Sequence, residues 1–251
     1  MLESINPALS PLKNHLLAAL PKEVQNRLFP YIELVTLPSR QMLYNVDDKL
    51  TYVYFPVDAI VSLLCVMESG ASAETSMVGN EGLVGFALFM GGESTSSRAV
   101  VQTAGYAYRL KGSVLTAEFN RHGKLLELIL RYTQSLMTQM SQTAVCNRHH
   151  SIDQQLCRWL LLSLDRLSDN HLAITHEWIA NMLGVRREGV TEAAGKLQKL
   201  GVIEHHRGHL TVLDREKLES LSCECYGVVK KETDRLLFCP SFSHDKHLKI
   251  G

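Results

Sequence analysis

The stretch that decides the fold is Thr175 to Val212, THEWIANMLGVRREGVTEAAGKLQKLGVIEHHRGHLTV. It reads as two short helices joined by a tight turn and followed by a small hairpin. Thr175 is placed to cap a first helix running from about His176 to Leu183, because a threonine hydroxyl can take up the free amides of a first turn. Gly184 stands where the turn needs positive φ. A second helix is expected from near Arg186 to near Leu200, with Gly201 as its stop. Val190, Ala194 and Leu197 share one face and must be buried. Thr191, Glu192, Gly195 and Lys199 fall toward the opposite face. Arg187 and Glu188 sit in the first turn, where a helix laid in the major groove reaches bases. This is the pattern of a helix-turn-helix.

Working outward toward the N-terminus, Ile152 to Leu167 carries Leu156, Trp159, Leu160 and Ser163 at core spacing and is expected to be a helix. CNRHHS, Cys146 to Ser151, marks a hinge before it. From about Thr116 to Arg148 there is no proline, and Gly123 is the only glycine. Leu125, Ile129, Tyr132, Leu136, Gln139 and Thr143 follow a 4-3 spacing, and a second row, Leu126, Leu130, Met137, Met140 and Ala144, lies beside it. One row can pack on its own domain and the other on a partner helix. About 25 residues of helix would span roughly 38 Å. Leu125, Ile129, Tyr132, Leu136 and Thr143 are taken here as the dimer row; burial within one subunit is the alternative.

Before this helix the texture is β-type. Strands are expected at Ile32–Leu37, Gln41–Tyr44, Tyr52–Phe55, Ala59–Met67, Ala73–Val78, Ala99–Thr103 and Tyr106–Leu110, separated by turn residues such as Pro38-Ser39, Asp47-Asp48 and Ser69-Gly70. Such spacing fits a small β-sandwich or roll. GNEGLVGFALFMGG, Gly79 to Gly92, interrupts it as a short helix or tight loop. Residues 1 to about 30 read as helical pieces cut by Pro7, Pro11, Pro21 and Pro30. Beyond the hairpin, Glu216 to Leu237 is expected to be helical, and the tail from Pro240 polar and frayed.

The 251 residues suffice for two domains, and 45% hydrophobic content supports a packed core. With 26 basic and 26 acidic residues the formal charge is zero, which argues against a constitutive non-specific nucleic-acid binder but not against local recognition of one site. Cys65, Cys146, Cys157, Cys223, Cys225 and Cys239 are irregularly spaced and read as free thiols in a reducing compartment. There is no secretory pattern and no membrane span; a cytoplasmic protein is expected.

The order of parts, a β-roll, a long helix, a hinge and a winged helix-turn-helix, resembles the Crp/Fnr family of bacterial transcription regulators. The resemblance runs from about Leu20 to Leu221. It is most specific at Ala180, Gly184, Arg187-Glu188-Gly189-Val190 and Lys196-Leu197 to Gly201, with Tyr54-Phe55-Pro56 and GNEGLVG in support. It implies an α+β fold: an N-terminal double-stranded β-helix or jelly-roll of the cyclic-nucleotide-binding type over 1–115, a long dimerisation helix and hinge over 116–150, a winged helix-turn-helix over 151–221, and a C-terminal helix and tail over 222–251. It also implies a homodimer on a palindromic double-stranded operator, which recruits or blocks RNA polymerase under a signal received at the roll.

The resemblance puts Arg187 and Glu188 at base-reading positions. Arginine can pair with guanine O6 and N7, and a carboxylate can accept from cytosine N4. Arg186 is expected at a phosphate, as is Arg207 in the wing. Thr175, Thr191, Glu192 and Lys196 complete the expected DNA face. Glu192 departs from catabolite-activator-like members, which place an arginine there, so a neighbour such as Lys196 or Lys199 must hold it or it must read a base. His205, His206 and His209 could bind a metal, but exposed wing histidines are the simpler reading, and no metal is expected.

For the effector, cyclic-nucleotide-binding members hold the ribose with a Gly-Glu pair and the phosphate with an Arg-Ser pair. Gly85-Phe86 and Ser97-Arg98 align there, with Met140 and Ser141 from the long helix. Phe86 cannot accept the ribose hydrogen bonds and the Arg-Ser order is reversed, so a cyclic nucleotide is not expected and the effector is open; Glu81 could substitute only in a rebuilt loop. Iron-sulfur members carry N-terminal cysteines, and here the first is Cys65. Cys223, Cys225 and Cys239 could form a thiol or metal site. No G-x-S-x-G, H-E-x-x-H or Walker loop appears, so no enzyme is expected. A ligand-binding module acting on a protein partner would keep the cassette and lose the reading helix; the sequence shows the reverse.

Overall fold

A computed structural model describes residues 7–92 and 94–238. Cys239 and the tail from Pro240 lie outside the described residues. Short helical pieces open the chain: 3-10 turns at Pro7–Leu9 and Pro11–Lys13, then α1 (His15–Ala18), α2 (Lys22–Leu28) and a further 3-10 turn at Phe29–Tyr31. Asn14 docks this lead-in. Its buried amide donates to Pro56 O at 3.0 Å and Gly82 O at 2.8 Å, while its oxygen caps α1.

The expected strands form at β1 (Glu33–Leu37), β2 (Met42–Tyr44), β3 (Tyr52–Pro56), β4 (Ile60–Val66), β5 (Ser72–Val78), β6 (Ser97–Thr103) and β7 (Gly105–Lys111). They make two antiparallel sheets, β1-β7-β3 and β2-β6-β4-β5, facing each other as a roll. The nearly unbroken apolar run of β4 has a physical reason. Val61 and Leu63 point into the roll, whereas Ile60 and Leu64 point outward into a second core shared with the C-terminal half. GNEGLVG loops between β5 and β6, and Phe86–Leu88 forms one 3-10 turn within that connection.

The long helix differs from the sequence reading at its start. α3 (Gly112–Phe119) ends when the Asn120 amide closes back on Thr116 O. His122 then adopts φ 53°, and α4 runs 26 residues from Lys124 to His149. The glycine within the predicted helix, Gly123, is where the chain breaks.

The row taken as the dimer face is corrected. Leu125, Ile129, Tyr132, Leu136 and Thr143 are all buried within the subunit. The first four join the core of the roll, the Tyr132 hydroxyl donates to Leu83 O, and Gln139 brackets the backbone of Met77 on β5. A partner helix cannot reach them. The second row is the free one: Leu130 is 55% and Met137 62% exposed, with Ser141 and Ala144 exposed beyond them.

α5 (Ile152–Leu164) starts from a capping box of Ser151 and Gln154. Because α4 continues through His149, the hinge narrows to His150-Ser151. Then come β8 (His171–Leu172), α6 (His176–Leu183), α7 (Arg187–Lys199), β9 (Ile203–His206) and β10 (His209–Val212), with sheet order β8-β10-β9. The C-terminal helix is divided: α8 (Arg215–Leu221), an extended Ser222-Cys223, α9 (Glu224–Thr233) and a π-helical turn Asp234–Phe238. α9 and that turn lie along α4, with Ser135 Oγ and Thr233 Oγ1 at 3.0 Å. No helix among the described residues is long and apolar enough to cross a membrane.

Candidate nucleic-acid interface

The turn forms as its residues dictate. Thr175 Oγ1 accepts the Trp178 amide at 3.2 Å. Gly184 closes α6 at φ 66°, and a Cβ there would press on Ala73 of β5 at 3.0 Å. Arg186 caps α7 in extended backbone, and Gly201 at φ 70° follows its end. Val190, Ala193, Ala194 and Leu197 are buried against the rest of the domain. That burial turns Arg187, Glu188, Thr191, Glu192 and Lys196 outward, and all five are exposed.

These side chains differ in what holds them. No hydrogen bond or ion pair among the described residues engages the Arg187 or Glu188 side chain. Thr191 is fixed, donating to Arg187 O at 3.0 Å and lying 3.1 Å from His176 Nδ1. Lys196 is shared between Asp153 of α5 and Glu192, each at 3.1 Å. These two carboxylates raise the Lys196 ammonium above its ordinary value, so it stays charged. Glu192 is therefore held by Lys196 in the free protein. Arg207 and Gly208 form the wing turn, at φ 45° and 85°, with Arg207 exposed at the tip.

Two supports escaped the sequence reading. The rings of His176 and His205 stack at 4.1 Å, bracing the wing against the start of α6. Burial lowers the pKa of both; His205 and Arg187 lower His176 further, so the stack is neutral. Arg40 on the roll lies 5.3 Å over the Trp178 ring of α6. Only the spatial fold brings these partners together. His171 Nε2 and His209 Nδ1 meet at 3.0 Å, and the wing histidines form no metal-ligating group among the described residues.

Comparison with known proteins decides what this interface belongs to. The Crp-like helix-turn-helix domain matches residues 154–221. The anaerobic regulatory protein of Aggregatibacter actinomycetemcomitans is 23% identical over 189 residues, 72% of this chain and 73% of that protein. Residues 154–221 form a Crp-like helix-turn-helix domain, and the chain as a whole is similar to Crp/Fnr transcription regulators. Solved structures share its fold. FixK2 from Bradyrhizobium japonicum matches at TM-score 0.64 and 16% identity, covering 76% of this chain and 98% of its own. A CRP-family transcriptional regulator from Thermus thermophilus matches at 0.63 and 16%, covering 75% and 96%.

Where cyclic-nucleotide-binding Crp/Fnr members hold their ligand, the side chains here are otherwise occupied. Phe86 is half-buried against the core of the roll. Arg98 donates to Asn45 Oδ1 at 2.9 Å, and Ser97 lies 2.9 Å from Thr95 Oγ1. Gly85 holds φ 101°, and a Cβ on it would stand 3.1 Å from Tyr52 O. Met140 is half-buried and Ser141 exposed on α4. Glu81 is spent elsewhere. It accepts the Gly79 amide at 3.1 Å and two bonds from Arg166, just past α5, at 2.9 and 2.8 Å, with both side chains buried.

That ion pair is one of several polar links between roll and DNA-binding half. Trp159 Nε1 donates to Glu74 Oε1 at 3.0 Å, and Gln102 Nε2 donates to Ser163 Oγ at 3.1 Å. Ile60, Leu64, Met77 and Val100 of the outer sheet pack on α5 and α6 around them. The outer sheet, together with Glu81, thus seats the output domain on the roll.

Proposed function

We propose that the chain binds a palindromic operator as a homodimer, each subunit laying α7 in the major groove. Arg187 and Glu188 read base edges. Thr191 and Thr175 line the approach, Arg186 and Arg207 contact phosphates, and Lys196 keeps Glu192 from repelling the backbone. The division into a sensor roll to residue 115, a connecting segment to 150, a winged domain to 221 and a C-terminal helix beyond fits this action. A role on DNA places the protein in the cytoplasm, with RNA polymerase as the machinery it recruits or blocks.

The observation that carries the reading is the first turn of α7. It presents an arginine and a glutamate, exposed and held by no hydrogen bond or ion pair among the described residues, on a helix whose opposite face is buried. The second copy is supplied by the free stripe of α4, Leu130, Met137 and Ala144, at seven-residue spacing, the repeat of a two-helix seam. A signal at the roll acts by altering the seat of the output domain around Glu81 and Arg166.

Selection of genomic fragments on the purified protein tests this, followed by footprinting. Two inverted half-sites with centres about 10 base pairs apart, or a multiple of that, are expected. Recovery of no preferred sequence, or of single asymmetric sites bound by one chain, would refute it.

A further inference from the structure

The end of α4 and the start of α9 bring together four side chains that the nucleic-acid interface does not use. Cys146 and His150 are one helical turn apart at the end of α4. Cys223 caps α9, and Cys225 stands in its first turn. Their ligand atoms all lie within 4.8 Å of one another. Cys146 Sγ and Cys223 Sγ are 3.5 Å apart, and Cys225 Sγ is 3.6 Å from His150 Nδ1. The three cysteines are at most 5% exposed and form an island separate from both apolar cores.

We propose that Cys146, His150, Cys223 and Cys225 bind one Zn(II) ion in a tetrahedral Cys3His site that ties the end of the dimer helix to the C-terminal helix. The distances support a single ion. Bond lengths of about 2.3 Å to sulfur and 2.0 Å to nitrogen put tetrahedral ligands about 3.8 Å apart for two sulfurs and about 3.5 Å for sulfur and nitrogen. The observed separations need only small side-chain rotations to match. An iron-sulfur cluster spreads its thiolates over different iron atoms, so its ligands stand farther apart than these. The Cys146–Cys223 distance also exceeds the roughly 2.05 Å of a disulfide, and both are free thiols.

Two further groups are arranged as such a site requires. His150 turns Nδ1 toward the thiols, and its Nε2 lies 3.3 Å from Glu224 Oε2. A carboxylate on the far ring nitrogen fixes the tautomer that leaves the near nitrogen free to ligate. Arg158, buried and with its Nε unpartnered, bears electrostatically on Cys146. Three thiolates and Zn(II) leave one net negative charge, which a buried guanidinium offsets. On binding, the thiol protons pass to solvent.

The position gives the ion a consequence. His150 is the residue between α4 and the Ser151 cap of α5. Fixing it to α9 sets the angle at which the output domain leaves the dimer helix. This consequence rests on the proposed function, whereas metal binding does not.

The test uses the full chain, produced in zinc-supplemented medium and purified under reducing conditions. Metal analysis and native mass spectrometry should find one zinc per chain. Co(II) replacement should give tetrahedral ligand-field bands with thiolate-to-cobalt charge transfer. C223S and H150A should lower zinc affinity at least about 100-fold against a chromophoric chelator, and E224Q about tenfold. C65S, at an exposed thiol outside the site, should match the parent. Circular dichroism checks folding; should C223S not fold, H150A and E224Q carry the comparison. Absence of retained zinc and of cobalt bands in the folded parent would overturn the site. So would an iron-sulfur chromophore, a Cys146–Cys223 disulfide in place of metal under reducing purification, or unchanged affinity in H150A. Operator binding measured with and without a chelator reads the hinge consequence separately: loss of metal with unchanged DNA affinity refutes that step and leaves the site intact.

Discussion

Glu74 on β5 offers the sharpest handle on how the two halves are joined. Its carboxyl is buried at their interface and takes an indole hydrogen bond from Trp159 at 3.0 Å, with Ser62 on its other oxygen. Ser62 has one hydroxyl hydrogen but two acceptors in reach, Glu74 and Gln102 Oε1 at 3.0 Å. Protonation of Glu74 resolves the conflict. Glu74 then donates to Ser62, Ser62 to Gln102, and Gln102 Nε2 to Ser163 across the interface. Burial pushes the carboxyl from 4.5 up to about 7, against the hydrogen bonds of Ser62 and Trp159 and the charges of Arg158 and Arg166. The folded state thus keeps a proton that the unfolded chain has lost above pH 4.5. Stability from this group is complete below pH 4.5, declines above it, and is lost once pH has risen through about 7. With a tenfold change in proton affinity worth about 1.36 kcal/mol, ionised Glu74 costs about 3 kcal/mol by pH 8, and about 2.5 kcal/mol of that develops between pH 5 and 8. Glu74→Gln keeps an oxygen for Trp159 and supplies the amide donor for Ser62 without a charge. Urea unfolding of both proteins across that range should show the variant gaining on the parent by about 2 to 3 kcal/mol, most of it between about pH 5 and 7. Parallel stability curves, or a variant that gains toward acid, would refute a protonated Glu74.

Three further outcomes follow from the same structure. Arg187→Ala should weaken binding to the selected operator by about 1–3 kcal/mol and relax one symmetric base position; titration against an operator library checks both, and unchanged base preference removes Arg187 from readout. Met137→Glu should shift the protein toward monomer in light scattering while its melting temperature barely moves, whereas Leu136→Glu, a buried charge, should unfold the subunit before it reports on dimerisation. Arg166→Met leaves Glu81 buried without its cation and should cost about 3–5 kcal/mol, with protease cleavage appearing first between roll and output domain; a cost under about 1 kcal/mol would remove the pair from the interface.

The helix-turn-helix was legible because each of its signals is local. A threonine cap, a glycine at positive φ and a three-to-four spacing of Val190, Ala194 and Leu197 act within a few residues of one another. The strands were legible through alternation and turn residues for the same reason. The orientation of α4 was not, because both of its rows are apolar and either could face inward. What separates them is remote in sequence: Met77 of β5 takes Gln139 and Leu83 takes Tyr132, while Ser135 meets Thr233 from the far end of the chain. The break at His122-Gly123 was hidden because one glycine in a helical pattern is often tolerated. The metal-ligating cluster was half visible. Cys223-x-Cys225 stood out, but Cys146 and His150 read as hinge, and nothing local says that α9 folds back on α4.

These remote contacts are spread along one helix, and that explains how a change in one place can reach another. α4 presents three faces: one packed into the roll, one covered by α9, and one free for a second copy. Only His150 and Ser151 separate it from α5, too short a span to absorb a helix rotation silently. A shift along the free face must therefore move α5, strain the cluster formed by Cys146, His150, Cys223 and Cys225, or break the buried pair of Glu81 and Arg166. Close-packed contacts of this kind rearrange between discrete states and do not deform smoothly. The output helix α7 is packed into its domain through Val190, Ala193, Ala194 and Leu197, so the variable that matters for DNA is where α5 points, and the residues controlling it lie outside the reading face.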